Sequence, residues 1–198
     1  MKRIALPLVA LFAAVGLASL AQAAVKSSKH DLSALTGTDA QICVVCHTPH
    51  KADTSTTDAP LWNHKLTTAT YTLYDSPTFN GKGSIVQPAG VSKLCLSCHD
   101  GTVALDAYGT NTGTTMISTA GNLGTDLKKS HPVSFTYDST LQTADGELAD
   151  PATLPAGWLN SGKFECSSCH DVHNKLNLDK MLNKANTGSA LCLTCHLK

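Results

Sequence analysis

Eight cysteines fall into four C-x-x-C pairs, and a histidine follows each pair directly: CVVCH at 43–47, CLSCH at 95–99, CSSCH at 166–170 and CLTCH at 192–196. No cysteine is left over, and histidine fills only 9 of 198 positions, so composition does not explain the coincidence. Two thiols three residues apart on one turn of helix project from the same side. They are spaced to form thioethers with the two vinyl groups of a haem, and the adjacent imidazole then lies beneath the iron as proximal ligand. The sequence thus predicts four haem c groups. Cys43, Cys46, Cys95, Cys98, Cys166, Cys169, Cys192 and Cys195 are the expected thioether sulfurs, and His47, His99, His170 and His196 the expected proximal ligands.

Three other uses of paired cysteines fit less well. A disulfide framework has no need of four following histidines. Two all-thiolate zinc sites could use eight sulfurs but would leave the same histidines unexplained. A thioredoxin-like redox pair requires a βαβ context, which the sequence does not display.

Five further histidines remain. In CVVCHTPH, His50 stands three residues after His47. Axial ligands approach an iron from opposite faces, whereas residues three apart on one turn lie side by side, so His50 cannot complete the iron of His47. As a ligand it must reach a different haem. The form recurs in CSSCHDVH, where His173 follows His170, and KLCLSCH at 93–99 recurs as ALCLTCH at 190–196. A single histidine precedes each double-histidine motif: His30 before the first, and His131, in KSHPVSF, before the second. Each half reads as histidine, C-x-x-C-H-x-x-H, L-C-L-x-C-H, an internal duplication with halves at about 24–108 and 127–198 joined by a Thr/Gly-rich loop. His30, His50, His131 and His173 are therefore the candidate distal ligands, one for each iron. His64, in PLWNHKLT, has no counterpart and reads as a surface or packing residue. Met116 and Met181 are set aside because histidine supply suffices.

The elements that must hold these residues are sparse. Aromatic residues make up 5% of the chain and long amphipathic periodicity is absent, so a protein-only core would be thin, and buried porphyrins are expected to fill it. Residues 52–60 and 109–126 are rich in Thr, Gly and Asn and read as surface loops. Residues 69–74 (ATYTLY) and 133–137 (VSFTY) have β character and are expected as short strands, with short helices at the haem motifs. Pro132 biases His131 toward an extended backbone, from which its ring can project. The expected fold is a mostly irregular, loop-rich domain over 24–198, organised around a row of haems.

Residues 1–23 have the layout of a secretory signal peptide: a basic start, an apolar run, and Ala-Gln-Ala before the expected cleavage after Ala23. Export fits haem attachment outside the cytoplasm, and no membrane span is expected in the mature chain. Basic and acidic residues balance at 15 each, and loss of Lys2 and Arg3 leaves a slight acidic excess, which argues against a nucleic-acid partner. With histidine on both faces of every iron no position is open to substrate, so electron transfer at low potential is expected rather than catalysis.

The segments CVVCHTPH, KLCLSCHDG, HPVSF and CSSCHDVHN resemble the multihaem c-type cytochromes of metal-reducing bacteria, among them extracellular tetrahaem cytochromes whose subunits polymerise into filaments. The resemblance runs from about His30 to the C-terminus. It implies a continuous haem row, extracellular electron acceptors or other redox proteins as partners, and one histidine that crosses to a neighbouring subunit. By resemblance that histidine is His50, reaching the haem of Cys192 and Cys195 next door. The alternatives are a monomeric periplasmic shuttle and, further off, a reductase with one open iron acting on a small oxyanion such as nitrite.

Overall fold

The computed structural model describes residues 25–37 and 41–198; the expected signal peptide lies outside them. Regular structure is scarce. Among the described residues the α-helices are α1 (Ser33–Thr36), α2 (Gly90–His99) and α3 (Ser139–Asp145), and a two-residue antiparallel pair joins β1 (Phe135–Thr136) to β2 (Lys163–Phe164). Single 3-10 turns make up most of the rest, and no helix among the described residues is long and apolar enough to cross a membrane.

Only the second haem motif rides on a true α-helix. In α2, Leu96 packs with Tyr71 and Leu127, while Ser97 accepts from the Thr67 amide at 3.0 Å and donates to Lys93 O at 2.8 Å. That buried side leaves Cys95, Cys98 and His99 to face the other way. The expectation of helices at all four motifs needs correcting. Motifs three and four close as 3-10 turns, Cys166–Ser168 and Cys192–Thr194, and motif one as hydrogen-bonded turns. The reason lies upstream. Strand β2 ends two residues before Cys166, and Gly188, with φ +60°, breaks any helix running into Cys192.

The two β segments also divide. Residues 133–137 contain β1, as expected, but residues 69–74 form no strand beyond one bridge from Thr72 to Asp126. The side-chain amide of Gln87 takes the place of a neighbouring strand there, donating to Tyr71 O at 3.0 Å and accepting the Tyr71 N–H at 2.8 Å.

The largest apolar cluster joins Phe135, Tyr137, Leu141, Leu148, Phe164 and the thiol-bearing Cys195. Phe135 stacks on Phe164 at 5.5 Å and meets the edge of Phe79 at 5.3 Å. Helix α3 closes this cluster. Its N-cap Asp138 accepts the Leu141 amide at 2.9 Å, and Gly146 ends it at φ +77°, where an L side chain would be strained. Buried polar groups are numerous beside so small a core. The Asp100 carboxylate accepts Tyr71 and Thr67 hydroxyls, each at 2.6 Å, and the Thr102 amide at 2.7 Å. Burial raises its pKa, but these donors outweigh that and hold it below the usual carboxylate range.

Asp138→Ala should destabilise the haem-loaded protein by about 1 kcal/mol, the ordinary worth of an N-cap, and Asp138→Asn by much less. Denaturant unfolding of the two variants checks this.

Candidate haem sites

Each motif forms one turn that brings its histidine back over its first cysteine. The amides of His47, His170 and His196 donate to the carbonyls of Cys43, Cys166 and Cys192 at 2.8, 3.1 and 2.9 Å. The turn gathers two sulfurs and an imidazole on one side, as the spacing predicted.

Loops then fix the rings. His47 Nδ1 lies 2.7 Å from Pro60 O, His99 Nδ1 2.8 Å from Gly121 O, and His170 Nδ1 2.9 Å from Lys180 O. A carbonyl only accepts, so each Nδ1 carries the proton and each Nε2 keeps its lone pair, the tautomer of a metal-ligating histidine held by its outer partner. Pro60 and Gly121 both belong to the Thr/Gly-rich segments expected as plain surface loops, so those segments orient the proximal rings as well as connecting the motifs.

The loops after motifs one and three make matching contacts. Asn63 donates its amide to Cys46 O at 3.0 Å, and Asn183 donates to Cys169 O at 2.8 Å. The Asn63 side chain donates to Val44 O, and the Asn183 side chain to Ser167 O. Leu61 and Met181, two residues before each asparagine, share the left-handed region at φ +52° and +54°. Sequence reasoning passed over both asparagines, although Leu-Trp-Asn and Met-Leu-Asn stand at related distances after the two double-histidine motifs.

Three candidate distal histidines face proximal ones. Ring centres are 6.2 Å apart for His47 and His173, 5.9 Å for His30 and His99, and 6.4 Å for His131 and His196. Two imidazole nitrogens bound to one metal from opposite sides, at about 2 Å each, put the ring centres roughly 6 Å apart. The residues therefore fit a haem iron between each pair. His131 is turned by its own next carbonyl, with Nδ1 2.9 Å from Pro132 O, and His30 by a thioether, with Nδ1 2.7 Å from Met181 Sδ. Burial and the neighbouring His99 and His170 lower the pKa of His30 to about 4, and burial lowers that of His131. Both are neutral at pH 7, the form that can coordinate.

One expectation comes out differently. The ring facing His196 belongs to His131 of the same chain, so the geometry does not leave that haem for His50. Among the described residues neither His170 nor the exposed His50 has a ring contact with another imidazole. Of the two roles expected for His64, surface or packing, packing is the one observed: it is 1% exposed, with Nδ1 2.8 Å from Lys65 O, Nε2 3.0 Å from Ala104 O, and Cys98 Sγ 3.5 Å from Nε2. It packs behind the second motif. Trp62, whose backbone bridges to His47, buries an indole N–H that has no partner among the described residues. A haem, which carries two carboxylates, is a group that could accept from it.

The sulfurs of successive motifs lie beside one another. Cys98 is pushed up to about 12 by burial and then by Cys46. Cys95 and Cys166 share a hydrogen bond, the main reason that Cys95 is raised and Cys166 lowered. Cys169 packs against Cys195 and is raised to about 11 by burial and then by that thiol. All eight cysteines are free, and among the described residues no three His, Cys, Asp or Glu side chains converge as a closed zinc site requires.

A family model described as a doubled CXXCH motif matches residues 159–198, which contain the third and fourth motifs. The match supports a multihaem c-type cytochrome, with haem held covalently at CxxCH cysteines. No curated protein matches the chain.

His173→Ala, His30→Ala and His131→Ala should each convert one haem from six-coordinate low-spin to a high-spin form, at motifs one, two and four respectively. Absorbance and electron paramagnetic resonance spectra of the oxidised variants check the number, and haem-methyl NMR shifts identify which haem responds.

Proposed function

We propose that this protein transfers electrons along four haem c groups arranged in sequence order, and that it does so as the subunit of an extracellular filament. One observation carries the reading: Cys46 neighbours Cys98, Cys95 neighbours Cys166, and Cys169 neighbours Cys195. Porphyrins bonded to these cysteines would be attached at neighbouring points of the chain, which suits electron passage without a diffusing carrier. The haems supply one-electron redox chemistry when bound. The chain contributes attachment, axial imidazoles fixed through Nδ1 at His47, His99 and His170, and a buried Cys195. Imidazole on both faces favours low potential and leaves no site for substrate, so the protein is read as a conduit rather than an enzyme.

The filament reading rests on the two unmatched histidines. His50 is the repeat counterpart of His173, and His170 that of His47. Since His173 faces His47 within one chain, the equivalent relation pairs His50 with His170, here across two copies. This replaces the haem of Cys192 and Cys195 as the target of the crossing ligand. Exposed Leu61 beside the His50 turn, and exposed Val172 and Leu176 after His170, add apolar area at the two ends of that contact. Such a head-to-tail contact builds an open filament when its rotation does not close. A signal peptide at 1–23 fits export to the cell surface, where metal oxides or other redox proteins would accept the electrons.

A second reading draws on the same observation. In a lone chain, the neighbouring His30 faces His99, and His170 makes no ring contact with an imidazole among the described residues, which suits a periplasmic shuttle with one reactive iron able to bind a small oxyanion. Cryo-electron microscopy of haem-loaded protein distinguishes the two. Filaments with His50 at the His170 haem are expected, and His50→Ala should abolish them while leaving three haems low-spin. Discrete particles, or filaments unaffected by His50→Ala, would reject the polymer reading in this form.

A further inference from the structure

The second and third motifs are locked together by a carboxylate. Glu165, only 3% exposed, precedes Cys166 in the chain and reaches the first turn of α2, where its Oε2 accepts the Ser92 amide at 3.3 Å. The same oxygen accepts the Ser134 hydroxyl at 3.1 Å, and the Glu165 side chain accepts the Ser168 amide. Ser92 returns the contact, its hydroxyl accepting the Cys166 amide at 3.0 Å. Ala89, the N-cap of α2, makes no side-chain cap of its own, so Glu165 caps that helix from the next motif. No Lys, Arg or His forms an ion pair with Glu165 among the described residues. Three donors converge on a group that, when ionised, only accepts. Its negative charge is countered only by the partial positive end of α2.

We propose that Glu165 is a potential-setting residue, whose buried charge lowers the reduction potentials of the haems at motifs two and three together. A negative charge in a low-dielectric interior stabilises ferric over ferrous iron, and burial strengthens the effect at both neighbours. Glu165 is bonded through the backbone to a sulfur-bearing residue of one haem and through Ser92 to the helix that carries the other. In keeping with this, after the hydrogen bond to Cys166 and burial, the Glu165 charge adds to the rise in the Cys95 thiol's pKa, and it opposes the lowering at Cys166. The two inner haems of the row would then be tuned by one side chain, while the outer two, at motifs one and four, are not.

The proposal rests on haem attachment at both motifs, so the first measurement is intact mass. Absence of haem mass at Cys95 and Cys98 or at Cys166 and Cys169 in the unmodified protein would reject that reading itself. With four haems present, Glu165→Gln keeps an oxygen for the Ser92 and Ser134 donors and removes the charge with one acceptor oxygen. Redox titration followed by haem-methyl NMR should find two potentials raised and two unchanged. A clamp without an electrostatic role predicts no movement, and that result, or equal movement of all four, would overturn the proposal. Should Glu165→Gln load haem poorly, Ser134→Ala decides: removing one donor concentrates the charge and should lower the same two potentials, and no change overturns the idea.

Discussion

The hydrogen bond from a proximal Nδ1 to a loop carbonyl, made by His47, His99 and His170, is the constraint on which most of the chain's shape depends. An imidazole that must present Nε2 to a metal has to give its other proton away, and Pro60, Gly121 and Lys180 take it. A carbonyl free to accept from a side chain is not committed to a helix or a ladder. The segments that serve the sites are therefore irregular by necessity, and the shortage of regular structure follows from function. Stability is correspondingly local, with Asn63 and Asn183 tying each serving loop to its motif.

Buried charge is the second recurring theme. Asp100 directly follows one proximal histidine and Glu165 directly precedes one attachment cysteine, and both are almost wholly buried among hydroxyl and amide donors. Desolvating a carboxylate is costly, and here the serines and threonines that make the sequence look like solvated loop offset that cost. Thr67, Ser92, Ser97, Ser134 and Ser168 are all buried.

Much of the chemistry was legible in the residue spacing because C-x-x-C-H encodes its geometry within a single turn. Distances between motifs were not legible, since nothing in the spacing says that Gln87 would replace a strand beside Tyr71, or that Met181 would meet His30 across 151 residues. For His64 the sequence left surface and packing roles open for a related reason, because the Ala104 and Lys65 carbonyls that bond it come from segments without any motif. The target of His50 was likewise invisible, because it depends on which ring already faces His196.

The sulfur contacts have one more property. The second cysteines of motifs one and two adjoin, then the first cysteines of motifs two and three, then the second cysteines of motifs three and four. The sequence repeats in tandem, but the order of contacts is a palindrome centred on Cys95 and Cys166. In the proposed haem row, attachment chemistry thus reads the same from either end, and gives an electron no preferred heading. Direction along such a row is a matter of what waits at its two ends.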